Sequence, residues 1–436
     1  MPRIDRILMA GEYTLGVFQP ALEALDPDAL ARLQLDGMQR TLARVGGNAA
    51  WSRRLGGVHP EDVKRVEDWA RLPFLTKDEL RDAYPFTLAC GGAEGYRRVH
   101  MSSGTTGNPI LNPYTAADVE QWGEVMARCY VAAGVTRDDV IQITPSFGLF
   151  TGGFGFHYGA ERLGALIVPT GSGRTRLQLT LMRDLGVTVM PAIATYPLRL
   201  IEVAHQEGFD LRSLRLRVAI LGSEMWSDEL RARIERELAI QSFDIIGMTE
   251  TGGPGLGIDC AARDGIHVWE DHYHVEIVDP LTGVGRPDGD EGELVVSTLT
   301  RQGLPLVRYR THDLTRIVSR ARCACGRTSL RLDRLRGRTD DMVIVKGVNF
   351  YPRQVETVLL RHPGVGHEYQ IQIDADERMR VVVETEPGCD PAVAGRLRRE
   401  LQDRLALGPE ISLCPLGTLE RLPGKAVRVV DRRPHR

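Results

Sequence analysis

Residues 100–110 read HMSSGTTGNPI, and Ser102, Ser103, Gly104, Thr105, Thr106 and Gly107 place serines, threonines and glycines in consecutive positions. Glycine lets a backbone turn tightly and approach a ligand, so N–H groups and hydroxyls in such a run can converge on phosphate oxygens. The same composition also suits a plain surface turn. It is not the GxxxxGK[ST] phosphate loop, because the lysine is absent and the spacing differs. A second string, DIIGMTETGGPG at 244–255, ends an apolar stretch at Ile246 and runs through Thr249, Glu250 and Thr251 into glycines. One carboxylate beside hydroxyls suits Mg²⁺, which takes one or two carboxylates together with substrate phosphates. A loop leading to a helix cap is the plainer reading of these residues. Asp313, in LVRYRTHDLTRI at 306–317, is a lone carboxylate after a strand and on its own reads as structural. Cys260-x6-His267 and Cys323-x-Cys325 stand far apart in the chain. Three thiolates and one imidazole match a closed structural zinc site if the fold brings the two pairs together. Otherwise they are three free cysteines and a surface histidine.

These groups need a scaffold. Residues 1–100 carry apolar residues at helical spacing, as in ALEALDPDALARLQLDGMQRTLARVG. Thr76 precedes Glu79 by three in LPFLTKDELRDAYP, a capping-box pattern. From about 100 to 250, short apolar stretches (DVIQITP, GALIVPT, GVTVMPA, LRVAILGS) alternate with helix-like segments such as LQLTLMRDLG and SDELRARIERELA. Strands alternating with helices imply βαβ units and a largely parallel sheet. Residues 273–318 are richer in strand patterns, and the polar RGRTDD at 336–341 joins them to the last hundred residues. There VIVKGV, PRQVETVLLRH, YQIQIDA, MRVVVETE and VAGRLRRELQDRLA predict a small α+β domain. The expected fold class is α/β: a large N-terminal domain over 1–336, with parallel βαβ sheets and a β-rich subdomain, and a small C-terminal domain over 337–436.

A chain of 436 residues is too long for one ordinary core and suggests about two or three domains. Its hydrophobic fraction of 42% and charged fraction of 26% are those of a soluble globular protein. A net charge of -3 gives no general pull toward nucleic acid or acidic membranes, so an anionic ligand must be held by a local site. No apolar run approaches the ~20 residues that cross a bilayer, and MPRIDRILMAGEYTLG lacks the pattern of a secretory signal. A cytoplasmic location is therefore expected. Seven cysteines, an odd number, argue against a disulfide scaffold. Cys90, Cys129, Cys389 and Cys414 read as ordinary buried thiols.

HMSSGTTGNPI closely resembles the phosphate loop of the adenylate-forming superfamily, which includes acyl-CoA synthetases, peptide-synthetase adenylation domains and luciferases. Asn108 stands where that superfamily usually has lysine, so one phosphate-pairing charge is missing. Four further segments follow in the superfamily's order. The resemblance implies that Thr249 contacts phosphate and Glu250 holds magnesium. LVRYRTHDLTRI is similar to the YRTGD motif, which implies that Asp313 accepts the ribose hydroxyls of ATP; a carboxylate can accept two hydrogen bonds at once. His312 replaces the usual glycine or arginine. GRTDDMVIVKGVNFYP at 337–352 resembles the interdomain hinge motif. It implies Arg338 at the ribose, Asp340 as the pivot, and Lys346 and Gly347 along the route of the pantetheine arm. ERLPGKAVRVVD at 420–431 puts Lys425 at the lysine that enters the site during adenylation. A positive point charge there suits a reaction in which negative charge builds between the acid's carboxylate and the α-phosphate.

FGLFTGGFGFHYGAERLGA at 147–165 strongly resembles the phenylacetate–CoA ligase branch, as do LPFLTKDELRDAYPF, LGSEMWSDEL, HVWEDHYHVEIVDP and GVNFYP. The likeness runs from about residue 70 to the end. It implies that Phe147, Gly148, Phe150 and Gly152 line the acid pocket, where rings and glycines make a flat slot for an aryl group. Plain core packing is the other reading of Phe147 and Phe150. Gly222, Ser223 and Glu224 would lie near the adenine. Some relatives in the branch carry the same Cys-His-Cys-Cys pattern and bind zinc while others lack the cysteines, which implies a structural ion.

The resemblance thus implies an ATP-dependent aryl acid–CoA ligase. A small aromatic carboxylate, already ionised near pH 7, attacks MgATP to give an acyl-adenylate and pyrophosphate. The coenzyme A thiol then takes the acyl group and AMP leaves, with the small C-terminal domain rotating between the steps. The implied cofactors are ATP/AMP, Mg²⁺, coenzyme A and structural Zn²⁺, and the resemblance also suggests a homodimer. Two other readings stay open: an adenylating enzyme that loads a carrier protein or an amine, and a nucleotide-binding regulator without catalysis. Asn108 favours the regulator, and Glu250, Asp313 and Lys425 oppose it. Which aryl acid is used stays open.

Overall fold

The computed structural model describes residues 16–102, 108–339, 343–346, 348–420 and 428–433. Ser103, Gly104, Thr105, Thr106, Gly107, Asp340, Gly347 and Lys425 lie outside these described residues. The chain divides into two compact units, Met1–Ser223 with Leu238–Leu335, and Glu224–Glu237 with Arg336–Arg436. Gly222 and Ser223 therefore belong to the first unit and Glu224 to the second, a division that the sequence boundary at 336/337 does not carry.

The first unit opens with helices α1 (Pro20–Glu23), α2 (Pro27–Gly46), α3 (Ala49–Leu55) and α4 (Lys77–Asp82). Asp26 and Asn48 cap α2 and α3 with side-chain oxygens. Thr76 and Glu79 form the expected capping box of α4: the Glu79 N–H donates to Thr76 Oγ1 at 3.3 Å and the Thr76 N–H to Glu79 Oε2 at 2.8 Å. An antiparallel hairpin follows, β1 (Tyr96–Met101) with β2 (Leu111–Thr115), and leads into α5 (Ala116–Ala132).

Strands and helices then alternate along the chain as expected: β3 (Val140–Gln142), α6 (Gly152–Leu163), β4 (Leu166–Val168), α7 (Thr175–Asp184), β5 (Val189–Ile193), α8 (Tyr196–Gln206), β6 (Val218–Gly222), α9 (Asp228–Leu238) and β7 (Gln241–Met248), of which α9 groups with the second unit. Strands in the order β4-β3-β5-β6-β7 are parallel. Their runs of Val, Ile, Leu and Ala suit strands covered on both faces. β7 continues two residues past Ile246 because Met248 pairs with Gly253 of the antiparallel β8 (Gly253–Asp259). β9 (Ile266–Val268) extends this sheet. β10 (Tyr273–Val278), β11 (Gly292–Thr298) and β12 (Tyr309–Thr315) form an antiparallel meander, and β13 (Ile317–Ser319) and β14 (Arg331–Leu332) return to pair beside β9. Trp122, Met126 and Tyr130 of α5 pack with Ile141, Val189, Ile220 and Phe243 of the sheet. A second cluster seats Trp51 and Trp69 with Leu306 and Tyr309.

The second unit has β15 (Gly337–Arg338), β16 (Val343–Val345), β17 (Val348–Phe350), α10 (Pro352–Leu359), β18 (Val365–Ile373), β19 (Met379–Thr385), α11 (Val393–Leu405), β20 (Glu410–Pro415) and β21 (Val429–Asp431). Its sheet has the order β20-β19-β18-β21, with an antiparallel centre and parallel edges. Val355 and Leu359 of α10 and Leu397 and Leu401 of α11 close on Ile371, Val381 and Val383. The mixed α/β class is as expected. Among the described residues no helix is long and apolar enough to cross a membrane.

Candidate functional site

The β1–β2 hairpin stays paired to the edge of the glycine-rich loop. The Ser102 N–H donates to Ile110 O, and the Ile110 N–H to Ser102 Oγ, each at 3.0 Å. Its base is tied to the loop before α6, where the Met101 N–H reaches Leu149 O at 3.0 Å and His100 Nδ1 reaches the same carbonyl at 3.1 Å. A carbonyl only accepts, so His100 Nδ1 carries the proton. The ring is buried edge-on against Tyr114, Trp122 and Phe154, with centroids 5.2, 5.5 and 5.6 Å away. Burial pushes the His100 pKa down, which keeps a neutral aromatic post within the hairpin.

Thr249 and Glu250 occupy the turn between β7 and β8. Thr251 Oγ1 donates to Met248 O at 3.1 Å, and the Gly252 N–H to Thr249 O at 3.2 Å. Gly253 has φ +97°, and a Cβ there would lie 2.5 Å from Trp122 Cζ2. Only glycine lets β8 start this close to α5. Glu250 is buried, with the Tyr309 hydroxyl donating to its Oε1 at 3.4 Å. Tyr309 comes from β12, where the string LVRYRTHDLTRI had drawn attention to Asp313 alone.

At the carboxyl ends of β5, β6 and β7 lies a cavity with about 390 Å³ of empty space, open to solvent. This is where an open parallel sheet binds ligands. Its wall includes Phe156, Ala192, Ile245 and Pro254, with Gly152, Gly222 and Gly247 where the backbone itself forms the surface. Thr151 and Ser223 supply the polar atoms. Of the residues expected around the acid, Gly152 lines this cavity. Phe147 packs its ring against Phe154 at 5.3 Å, Gly148 turns the chain with φ +136°, and Phe150 is 49% exposed. Phe156, two positions beyond Phe154 on α6, was hidden in the sequence by its many aromatic neighbours.

Asp313 sits within β12 rather than after a strand. It is buried, and its N–H donates to Thr311 Oγ1 at 3.0 Å. The β11–β12 register slips between Glu293 and Val295, and His312 takes φ +65° in the slipped segment. That left-handed conformation favours glycine. Here the His312 N–H donates to Glu293 Oε1 at 3.1 Å, and Arg310 pairs with the same buried carboxylate. In the second unit, Arg338 is half-buried on β15, and Lys346 turns the chain between β16 and β17 with φ +48° while its N–H donates to Glu377 Oε2 at 2.8 Å.

The fold brings the four Cys and His residues together. Cys260 follows β8, His267 is on β9, and Cys323 and Cys325 lie between β13 and β14. All are buried, His267 completely, and their ligand atoms lie within 4.8 Å of one another. Cys260 Sγ is 3.8 Å from Cys323 Sγ, and Cys325 Sγ is 3.4 Å from His267 Nε2. Ser329 Oγ, 3.0 Å from His267 Nδ1, turns Nε2 toward the thiols. A second grouping, Glu124, Asp271 and His272, is already occupied by the buried Arg128, whose Nη1 and Nη2 donate to Asp271 at 2.8 Å each.

The family model described as AMP-binding enzyme matches residues 99–300, and that described as AMP-binding enzyme C-terminal domain matches 347–433. Phenylacetate–coenzyme A ligases of Aromatoleum evansii and Escherichia coli (strain K12) are each 38% identical, over 95% and 94% of this chain and 97% of each relative. The crystal structure of a 2-hydroxyisobutyryl-CoA ligase in the postadenylation state, in complex with 2-HIB-AMP, matches with TM-score 0.88 and 25% identity over 95% of this chain and 92% of that chain. Fold and site together define an adenylate-forming enzyme. The chain belongs to the phenylacetate–coenzyme A ligase family of AMP-binding enzymes. It is an AMP-forming acid–thiol ligase that uses ATP and coenzyme A.

Proposed function

We propose that the acid is a small aryl carboxylate of the phenylacetate or benzoate class. The observation that carries this reading is the cavity, walled by Phe156, Ala192, Ile245 and Pro254 and floored by glycine backbone. A planar ring can pack on Phe156, Ile245 and Pro254, while Thr151 and Ser223 keep one side of the cavity polar. The carboxylate is directed toward the Ser102 hairpin and the Thr249–Glu250 turn, which bind the nucleotide phosphates. A magnesium ion held by Glu250 would neutralise phosphate charge. Asp313 and Arg338 hold the ribose, and Gly222, Ser223 and Glu224 border the adenine. Lys346 and Gly347 line the pantetheine route, and Asp340 is the pivot about which the small domain moves. Lys425 bridges carboxylate and α-phosphate during adenylation. We further propose that the enzyme works in the cytoplasm and forms a homodimer.

Cys260, His267, Cys323 and Cys325 bind one structural zinc ion in this reading, which puts the chain in the zinc-containing subgroup. A tetrahedral ion with Zn–S of about 2.3 Å and Zn–N of about 2.0 Å needs S···S and S···N edges of about 3.8 and 3.5 Å. The distances of 3.8 and 3.4 Å support the fit.

The test of the substrate class compares thioester formation from phenylacetate and benzoate with that from straight-chain acids of equal carbon number. We expect kcat/KM to favour an aryl acid by ~10-fold or more. Equal or better use of the straight chains would contradict the proposal.

A further inference from the structure

Asn112 and Arg301 meet beside the turn that carries Glu250. Asn112, fully buried on β2, lies opposite His100 across the hairpin. Its Nδ2 donates to the main-chain carbonyls of Thr249 at 2.6 Å and Glu250 at 3.2 Å, and its Oδ1 accepts from Arg301 Nη2 at 2.8 Å. A flipped amide would set oxygen against carbonyls and N–H against a guanidinium, so Arg301 decides which way Asn112 faces. Arg301 is 1% exposed, and its guanidinium carbon stands 4.1 Å from the centre of the Tyr114 ring. Asp118, whose Oδ1 is 3.8 Å from Arg301 Nε, accepts from the Gln302 N–H at 2.7 Å and the Gly303 N–H at 2.9 Å. Nε and Nη1 make no hydrogen bond among the described residues. A buried cation this sparsely paired costs stability that an apolar side chain of equal volume would not. Its presence is accounted for by what it orients.

We propose that Arg301 and Asn112 are positioning residues, a strut that fixes the Thr249–Glu250 turn against the β1–β2 hairpin. The inference rests on the proposed reading of these two segments as the MgATP site. Productive sites hold their groups within about 0.5 Å, and one amide bridging two segments supplies that constraint. Its loss acts first on the nucleotide and its metal ion, because Asn112 bonds to Thr249 and Glu250, neither of which lines the cavity that receives the acid.

The experiment compares Asn112→Ala, Arg301→Met and Arg301→Lys in the full chain. It reads kcat for pyrophosphate release, KM for MgATP and for the acid, the Mg²⁺ requirement, and MgATP affinity without acid by calorimetry. Asn112→Ala and Arg301→Met are expected to raise KM for MgATP and the Mg²⁺ requirement ~10-fold or more, with KM for the acid within ~2-fold. Arg301→Lys, which keeps a donor for Asn112 Oδ1, recovers part of the loss. Rises of both KM values together, a fall in kcat alone, or Arg301→Lys behaving as Arg301→Met would overturn the strut. If Arg301→Met does not fold, the other two variants decide. Wild-type protein that binds MgATP but releases no pyrophosphate with any aryl acid would refute the functional reading instead, and the calorimetric affinities would then decide the strut. Wild-type protein that binds no MgATP would overturn both.

Discussion

Glu250 shows how much one side chain is asked to do. It is buried beside Tyr309 on a turn that leads away from the parallel sheet. Glu250→Gln keeps the shape and removes the charge that would hold the metal ion. Acid-dependent pyrophosphate release should fall ~10²-fold or more with the melting temperature little changed, and a near-wild-type rate would remove Glu250 from this role. His100 makes a pH prediction. Its folded pKa lies below the ordinary value of 6.5, because burial disfavours the charged ring. The unfolded chain therefore binds more protons below about pH 6.5, so stability falls as pH drops below that value and is flat above it. Urea midpoints at pH 5 and 7.5 should show that difference, and His100→Gln should lose part of it. Ser102, Glu250 and Gly152 were singled out from composition and resemblance, and the structure places Gly152 on the cavity and Glu250 buried on the β7–β8 turn. Asn112 and Arg301 were not, because one comes from β2 and the other from the loop after β11 and neither sits in a local pattern, while Tyr309 lay inside LVRYRTHDLTRI, where Asp313 alone drew the reading.

At the scale of elements, the alternation of apolar runs with helical segments was enough to read β3 to β7, since strands of a parallel sheet read as nearly continuous apolar runs. The expected end of β7 was short by two residues, because pairing with β8 is a long-range contact that local pattern does not encode. The glycine cluster is where elements crowd. Gly253→Ala meets Trp122 as well as a positive φ, whereas Gly289, with φ +94°, has nothing within 4 Å of an added Cβ. Gly289→Ala should cost ~1 kcal/mol of backbone strain, and Gly253→Ala should cost ~1–3 kcal/mol more from overpacking. Chemical denaturation of both variants checks this, and equal effects would mean that α5 gives way. The Cys and His cluster ties β8, β9 and the β13–β14 segment together. Purified protein should contain about one zinc per chain. Cys325→Ser should lower the melting temperature by several degrees, as expected where metal binding is coupled to folding. Protein that is metal-free and equally stable would exclude a structural ion.

For the whole molecule, the sequence reading set one domain boundary at 336/337, and the structure adds that Glu224–Glu237 groups with the C-terminal unit. The chain leaves and re-enters a unit there, which a linear boundary cannot express. Lys425→Ala should abolish adenylation while sparing thioester formation from supplied adenylate, and equal loss of both half-reactions would contradict its proposed entry during the first step only. The most direct test of the central claim is acid-dependent pyrophosphate release from MgATP across a panel of aryl acids, with and without coenzyme A. The account predicts release that depends on one aryl acid, and a matching CoA thioester when the thiol is present. Release without any thioester, or none with any aryl acid, would contradict it.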